Sequence, residues 1–240
     1  MEIIPAIDLR DGKCVRLIQG DYSRETVFSG DPTEIAKKWI NLGAKRLHIV
    51  DLDGAASGSG SSANQKVIAA IVKEVRAPVQ TGGGVRSMGV LDHLLGIEID
   101  RVILGTSAIN DKNFVQEAVA KHKGRVIIGI DARGGMTAVN GWKEQTSIRA
   151  VELAWEMQRI GAQRIVYTDI SKDGMLEGPD FNSLTELLDK TSLKVIASGG
   201  ITTIDHLKRL ADLGAEGAIV GRAIYTGALD LEQAVKALAR

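Results

Sequence analysis

The sequence predicts an α/β fold, a (β/α)8 TIM barrel, and three observations support this prediction. Short apolar, β-branched segments alternate with amphipathic segments of helical length along all 240 residues. There are eight of these apolar segments, and a length of about 250 residues is typical of this barrel. Most of them are continuously apolar, as parallel strands covered on both faces are. An open doubly wound sheet is the alternative architecture, but that fold does not require eight strands.

Local patterns place each element. The predicted strands are, in order, EIIPAID, RLHIVDL, APVQT, RVILG, RVIIGID, QRIVYTDI, KVIAS and GAIVG. Apolar residues at helical spacing predict helices in DPTEIAKKWINLG, SMGVLDHLLGIEI, KNFVQEAVAKHKG, SIRAVELAWEMQRIG, FNSLTELLDKT, TIDHLKRLADLG and LEQAVKALA. The first of these helices has clear limits, because Asp31 and Pro32 favour a helix start and Gly43 favours a helix end.

Three polar segments are interpreted as loops that follow strands. The first loop, residues 10–32, is long for a barrel and contains a hairpin-like KCVRLIQG. Long loops at this end of a barrel serve as lids or binding elements. SGSGSSANQ, residues 57–65, follows the second strand, and VNGWKEQTS, residues 139–147, follows the fifth. Since none of them is long enough to separate two domains, we expect one domain over residues 1–240.

The two halves of the sequence resemble each other. Landmark residues recur 116 to 123 positions apart and in the same order: Asp8 with Asp131, Asp51 with Asp169, Gly83 with Gly199, and Gly105 with Gly221. One such match is expected by chance among Gly-rich turns, but four in order are not. The pattern therefore predicts an internal duplication, with half-barrels at about residues 1–122 and 123–240.

Composition excludes several kinds of partner. Lys and Arg number 30, Asp and Glu also number 30, and no basic tail is present, so neither nucleic acid nor a membrane surface is an expected partner. Cys14 is the only cysteine, which excludes an internal disulfide and fits a reducing compartment. We interpret Cys14 as a small buried residue rather than as a nucleophile, and the chain as a cytoplasmic, monomeric protein.

Gly-rich turns predict two phosphate sites. TGGGVRS follows the third strand and SGGITT the seventh, and each opens a helix whose free N–H groups can bind an anion. LGTSAI and VGRAIY follow the fourth and eighth strands, and loops after strands 7 and 8 are a frequent phosphate site in barrels. The residues proposed to bind phosphate are Gly83, Gly84, Arg86, Gly105, Thr106, Gly199, Gly200, Gly221 and Arg222. The alternative explanation is that these glycines only form tight turns and bind no phosphate.

The two sites would lie on opposite sides of the ring of strands. The expected ligand is therefore a small molecule with a phosphate at each end, lying across the barrel mouth between Asp8 and Asp131. Two carboxylates in different environments can divide acid and base roles, which suits proton transfer on a sugar. These residues alone leave open which Asp is the acid and which the base.

Other candidates are weaker. His48 lies on the second strand and has core packing as its alternative role, and Thr168 closes the sixth. Trp142 lies in a polar loop, where an aromatic ring can stack on a planar ligand. The four His residues show no metal-ligand spacing, and neither a GxGxxG nor a Walker motif is present, so we predict neither a metal nor a nucleotide cofactor.

The assembled motifs resemble a known family. IIPAIDLRDGKCVRLIQGDY, HIVDLDGA, VQTGGGVRS, VILGTSAI, GIDARGG, TDISKDGMLEGP, IASGGI and AIVGRAIY look like the isomerases of histidine biosynthesis that act on phosphoribosylformimino-aminoimidazole carboxamide ribotide. The resemblance runs from Ile3 to about Leu238. It implies an Amadori rearrangement, from aminoaldose to aminoketose, without a cofactor.

The resemblance also implies roles for single residues. By the family pattern, Asp8 is the general base that removes the C2 proton, Asp131 is the general acid that assists ring opening, and Thr168 supports the acid. It implies substrate contacts from Arg16, His48, Arg86, Trp142 and Asp173.

Four alternative functions have distinct expectations. The sister cyclase of the same pathway typically has VVKGV and DITAS where this chain has CVRLIQG and DLDGA. Phosphoribosylanthranilate isomerase uses a Cys base, whereas this first strand ends in Asp8. A dual-substrate isomerase would share these motifs. A non-catalytic phosphosugar sensor would keep the phosphate turns without needing both carboxylates.

Overall fold

A computed structural model describes residues 1–28, 30–59 and 62–239, and its central feature is a closed barrel of parallel strands. The strands are β1 (Glu2–Arg10), β2 (Lys13–Ile18), β3 (Asp21–Val27), β4 (Leu47–Asp51), β5 (Val79–Gly82), β6 (Arg101–Leu104), β7 (Val126–Arg133), β8 (Met136–Val139), β9 (Glu144–Arg149), β10 (Arg164–Asp169), β11 (Lys194–Ser198) and β12 (Gly217–Val220). Eight of them pair in the order β1–β4–β5–β6–β7–β10–β11–β12, and β12 pairs with β1 to close the ring. The predicted (β/α)8 barrel is confirmed.

Helices connect successive barrel strands, because parallel strands require a crossover. They are α1 (Pro32–Asn41), α2 (Leu52–Ser57), α3 (Ser62–Glu74), α4 (Met88–Gly96), α5 (Ser107–Asn110), α6 (Lys112–Lys121), α7 (Ala150–Arg159), α8 (Phe181–Lys190), α9 (Ile204–Asp212), α10 (Arg222–Thr226) and α11 (Leu231–Leu238). Within the described residues, no helix is both long enough and apolar enough to cross a membrane.

The predicted helix in SIRAVELAWEMQRIG begins too early. Ser147, Ile148 and Arg149 belong to β9, which pairs antiparallel with β8 in a hairpin after β7. The segment VNGWKEQTS therefore crosses the turn of this hairpin and is more ordered than a plain loop. The hairpin predicted in KCVRLIQG is present as β2 and β3, and it follows β1.

The Gly/Ser-rich segment 57–65 is also more helical than predicted. The helix α2 ends at Ser57 and α3 begins at Ser62, while Gly60 and Ser61 lie outside the described residues. The side chain of Asn64 is fully buried, accepts a hydrogen bond from the Gly12 N–H at 2.8 Å, and donates one to the Leu9 carbonyl at 3.1 Å. The start of α3 is thus held by the first loop.

The apolar core has two layers. Inside the barrel a small cluster is formed by Ile4, Ala6, Ile103, Ile127, Val166, Ile196 and Ile219. A larger cluster fills the space between the strands and the surrounding helices. Alternate residues of each strand point to these two layers, which is why the strands are continuously apolar. The inner cluster lies directly beneath the strand ends that carry the candidate site.

The opposite end of the barrel is closed by two ion pairs at matching positions of the halves. Arg46 pairs with Asp100 in the first half, and Arg164 pairs with Glu216 in the second. The side chains of both arginines are only 9% exposed, and Arg46 also contacts Glu2 at 3.1 Å. The matching positions fit the predicted duplication, although the limits of the half-barrels stay a prediction.

We expect Glu216→Gln to destabilise the protein and to change its response to acid. Burial would raise the pKa of Glu216, but the hydrogen bonds and the charge of Arg164 outweigh burial and lower this pKa. A carboxyl with a lowered pKa stabilises the fold fully above its unfolded pKa, and this contribution is lost as the pH falls through the folded value. The variant should lose about 1–3 kcal/mol of unfolding free energy at pH 7, where the wild-type pair is charged.

Urea denaturation at a series of pH values measures both effects. The difference in unfolding free energy between variant and wild type should shrink as the pH falls below about 4.5, the ordinary pKa of Glu. Glu177→Gln is a matched control, because Glu177 forms a more exposed pair with Lys172 and should change stability by less than about 1 kcal/mol. If both variants lost the same unfolding free energy, the Arg164–Glu216 pair would stabilise the fold no more than an exposed ion pair does.

Candidate functional site

The candidate functional site is a cleft at the carboxyl ends of the barrel strands, where enzymes of this fold have their active sites. It contains about 1520 Å³ of space not filled by protein atoms, part of it open to solvent. All residues proposed from the sequence line this one cleft: Asp8, Arg16, His48, Gly83, Gly84, Arg86, Gly105, Thr106, Asp131, Trp142, Thr168, Asp173, Gly199, Gly200, Gly221 and Arg222. Their roles in binding or chemistry stay predictions.

Asp8 lies on β1, and Arg16 reaches it from the neighbouring strand β2. Arg16 Nη1 and Asp8 Oδ2 form an ion pair, in which the side chains are 11% and 16% exposed. The pairing of β2 with β3 changes register between Arg16 and Ile18, and such a bulge redirects the side chains beside it. A guanidinium and a carboxylate in contact form a charge-assisted hydrogen bond, which fixes the direction of the Asp8 carboxylate.

Asp131 occupies the matching position on β7, on the opposite side of the ring, but its surroundings differ. Its Cα lies beside that of Thr168 on β10, and the side chains of Trp142 and Thr168 hydrogen-bond to its carboxyl. Burial raises the pKa of Asp131, and these two hydrogen bonds offset only part of the rise. No Lys or Arg of the described residues forms an ion pair with it. Asp131 is therefore more easily protonated than an ordinary Asp.

A third carboxylate, Asp173, lies in the loop after β10. Burial raises its pKa to about 6, with the charge of Arg16 opposing the rise and the charges of Asp8 and Asp131 adding to it. Asp173 therefore interacts electrostatically with each of the other two carboxylates. At neutral pH this cleft holds a group close to its titration point, which is typical of catalytic sites.

His48 stands beside the inner cluster, at the floor of the cleft. Burial lowers its pKa to about 4, so the imidazole is neutral at pH 7. The Gln80 side-chain amide lies 3.2 Å from His48 Nδ1, so the amide and the imidazole form a hydrogen bond with each other. Gln80 is fully buried and was not predicted as part of the site. A polar residue within the apolar strand APVQT was the signal for it.

The Gly-rich turns bring neighbouring backbones into close contact in both halves. A Cβ at Gly83 would lie 2.1 Å from the Asp51 carbonyl oxygen, and one at Gly199 would lie 2.6 Å from that of Asp169. Both glycines have positive φ, +114° and +92°. These turns thus have a packing reason of their own, and phosphate binding stays a prediction. The carboxylate of Asp51 accepts a hydrogen bond from the Gly54 N–H in the first turn of α2, and that of Asp169 accepts one from the Ser171 N–H in the loop after β10.

A short helix follows each of the other two turns. The four-residue α5 begins after Gly105 and Thr106, and the five-residue α10 begins at Arg222. The first N–H groups of a helix have no partner within it, and a short extra helix of this kind is a common part of barrel phosphate sites. The pair of short helices at matching places therefore supports two anion sites.

The two hairpins and the loop after β10 contact one another above the cleft. Gln19 at the tip of the β2–β3 hairpin bonds to the backbone of Ser171 and Asp173. The Trp142 ring lies so close to Gly20 that a Cβ there would be 2.4 Å from Trp142 Cε3. Trp142 itself has φ +69°, an unusual conformation for a bulky residue. These contacts, which the sequence does not reveal, place the indole over the mouth.

A metal site is not seen among residues 1–28, 30–59 and 62–239, since no three His, Cys, Asp or Glu side chains in these ranges are grouped to hold an ion. Cys14 is buried, and its thiol lies 3.4 Å from the Tyr225 hydroxyl.

Comparisons with known proteins agree with the motifs. A model of the family described as histidine biosynthesis protein matches residues 2–230. A relative from Dehalococcoides mccartyi is 50% identical over 238 residues, 99% of this chain and 100% of the relative. Relatives from Bacillus anthracis and Ruminiclostridium cellulolyticum are 49% identical over 98% of both chains and 47% identical over 99% and 100%. All three are named 1-(5-phosphoribosyl)-5-((5-phosphoribosylamino)methylideneamino) imidazole-4-carboxamide isomerase. The protein belongs to the histidine biosynthesis protein family.

Proposed function

We propose that this protein is a cofactor-independent aldose–ketose isomerase of histidine biosynthesis. Its substrate is phosphoribosylformimino-aminoimidazole carboxamide ribotide, and its product is the corresponding phosphoribulosyl aminoketose. The observation that carries the proposal is the unequal pair of carboxylates on opposite strands of one cleft. Asp8 has a guanidinium partner, whereas Asp131 has a raised pKa and no cation of the described residues paired with it. The names of the relatives, which are about 50% identical, add independent support.

In the first step Asp131 acts as general acid. Its carboxyl donates a proton to the ring oxygen of the aminoaldose. The bond from this oxygen to C1 breaks, and a double bond forms between C1 and the nitrogen attached to it. The raised pKa of Asp131 keeps a proton available near neutral pH, and Thr168 and Trp142 orient the carboxyl. The result is an open-chain Schiff base with a hydroxyl at C4.

In the second step Asp8 acts as general base. It removes the proton from C2 of the protonated Schiff base, a C1–C2 double bond forms, and the electron pair of the C1–N double bond returns to nitrogen, giving a neutral enol. The enol hydroxyl then gives its proton to the ionised Asp131 as C1 takes the proton held by Asp8, which completes the ketose and restores both carboxyls without any net change of oxidation state. The ion pair with Arg16 suits Asp8 to this step, because it fixes the direction of the carboxylate.

The remaining cleft residues bind and orient the substrate. The glycine turns and short helices after β5 and β6 hold one phosphate, and those after β11 and β12 hold the other, with Arg86 and Arg222 adding charge. Asp173 and His48 contact the central sugar. Two anchored ends place the reacting carbon between Asp8 and Asp131, which is how positioning accelerates such a reaction. The protein acts as a monomer of one domain in the cytoplasm.

Turnover of the two-phosphate substrate by purified protein tests the proposal, with phosphoribosylanthranilate as the parallel substrate. We expect efficient conversion of the two-phosphate substrate. For phosphoribosylanthranilate, which lacks one phosphate, kcat/KM should be lower by roughly 10²-fold or more. Equal efficiency on both would indicate a dual-substrate isomerase. No turnover with intact binding would indicate a sensor.

A further inference from the structure

The guanidinium of Arg16 is enclosed by Gly221, in the turn after β12, and by Tyr225 of α10. A Cβ at Gly221 would lie 1.7 Å from Arg16 Nη2 and 2.5 Å from its Cζ, so only a glycine leaves room for this side chain. On another side the Arg16 Cζ lies 5.2 Å from the centre of the Tyr225 ring, a cation–π distance. At Gly105, which matches Gly221 in the first half, a Cβ would meet nothing within 4 Å. This arrangement is thus confined to the Asp8 side of the mouth.

Tyr225 is itself held in place by several contacts. Its hydroxyl donates to the Ala6 carbonyl at 3.1 Å, on the same strand as Asp8. Its ring lies 4.6 Å from the Phe28 ring and 5.4 Å, edge to face, from the Trp39 ring. The ring is therefore a rigid surface, fixed to β1 and α1, against which the Arg16 guanidinium rests. Arg16 Nε is buried without a hydrogen-bond partner in the described part of the chain, so these contacts and the ion pair account for its position.

We propose that Tyr225 is a positioning residue for the isomerisation, which holds the Arg16 guanidinium against the Asp8 carboxylate. The proposal rests on the assignment of Asp8 as the base. Tyr225 does not line the cleft, so it acts through Arg16 and not on the substrate. Without the ring, Arg16 would gain rotamers that point away from Asp8, and the contact between the two side chains would be populated less often.

Other titratable groups also surround Asp8 and must be separated from this effect. Those that interact with it electrostatically are Arg16, Cys14, Tyr22, His48 and Asp173. Arg16 is the one that forms the ion pair. Asp173 also interacts electrostatically with Arg16. A pH profile of turnover would therefore combine the effects of Asp8 and Asp173, and a measurement on Asp8 itself is needed.

The test is ¹³C NMR of the Asp carboxyls in the free protein at pH 7, with the Asp8 signal assigned by its loss in Asp8→Asn. In Tyr225→Leu we expect the Asp8 signal to move toward its position in Arg16→Gln, in which the ion pair is absent, and kcat/KM at neutral pH to fall roughly three- to tenfold. Tyr225→Phe keeps the ring and should match the wild type in both measurements. Phe181→Leu is the matched control, because the half-buried Phe181 has the Arg209 guanidinium 3.9 Å from its ring centre and lies outside the cleft.

A second variant covers the case in which Tyr225→Leu does not fold. Gly221→Ala places a methyl where the guanidinium lies and leaves the aromatic cluster intact, so it should move the Asp8 signal in the same direction. An unchanged Asp8 signal in the folded variants, or an equal change in Phe181→Leu, would overturn the proposal. This outcome is distinct from failure of the proposed function, which would appear as absence of turnover in the wild type.

Discussion

Asp8→Asn is expected to lower kcat by about 10²–10⁴-fold, the usual contribution of a general base. Asn has nearly the same shape but cannot accept the C2 proton. The Asp8 side chain is small and faces the cleft, while the proposed phosphate turns lie on other strands. Substrate affinity should therefore change little, and the loss should appear in kcat more than in KM. Steady-state kinetics together with calorimetric binding of the substrate measure the two quantities.

Two further Asn variants separate chemistry from structure. Asp131→Asn should also lose turnover, but a substrate analogue that is already ring-opened should partly restore it, because the acid is needed for opening. Asp169→Asn is the control: Asp169 is a buried strand-end carboxylate on β10 that accepts bonds from Ser171 and does not line the cleft. An amide oxygen can replace its accepting oxygen, so most activity should remain. A small effect of Asp8→Asn on kcat would refute its role as the base.

Gly83→Ala is expected to lower the free energy of unfolding by about 2–4 kcal/mol. A positive φ costs a residue with a Cβ about 1–2 kcal/mol, and here the new carbon would also meet the Asp51 carbonyl oxygen at 2.1 Å. Because that oxygen belongs to the backbone of a barrel strand, the turn itself must shift. Gly199→Ala should behave in the same way against Asp169. Chemical denaturation of the purified variants provides the measurement.

Gly214→Ala isolates the conformational part of this cost. Gly214 has φ +91°, but a Cβ there meets nothing within 4 Å, so its substitution should cost only about 1 kcal/mol. The difference between the two variants is then the cost of the backbone collision. If Gly83→Ala were no worse than Gly214→Ala, the close approach of the turn to Asp51 would not constrain the fold.

The barrel and most of its site could be predicted because the information is local. An apolar segment that ends in a polar residue marks both the strand and the point where its side chain enters the cleft, as at Asp8, Asp131 and Thr168. In parallel strands these ends meet at one edge, so Asp8, Asp131 and Thr168 line the same cleft, whereas the strand-end Asp169 bonds Ser171 instead. The glycines of the turns could also be identified locally, because a position where two backbones lie in close contact excludes a Cβ and so requires glycine.

Contacts between distant segments could not be predicted in this way. Ser147 and Ile148 fit a helical pattern, yet pairing with β8 holds them in a strand. Nothing in KCVRLIQG indicates that Arg16 would lie on Gly221 and Tyr225, more than 200 residues away. Gln80 was overlooked because its neighbour His48 is distant in sequence and adjacent only across the sheet. The hydrogen bond from Trp142 to Asp131 likewise depends on the turn of a hairpin that the sequence presents as a loop.

The two hairpins occupy matching places, after β1 and after β7, but they deliver different groups to the mouth: Arg16 to Asp8, and Trp142 to Asp131. A molecule with similar anionic ends could in principle enter such a doubled cleft head first or tail first. A cation on one side and an aromatic N–H on the other make these two directions unequal in energy. For the proposed substrate, the hairpins after β1 and β7 would therefore stabilise one of the two orientations more than the other, because they make the two sides of the cleft chemically different.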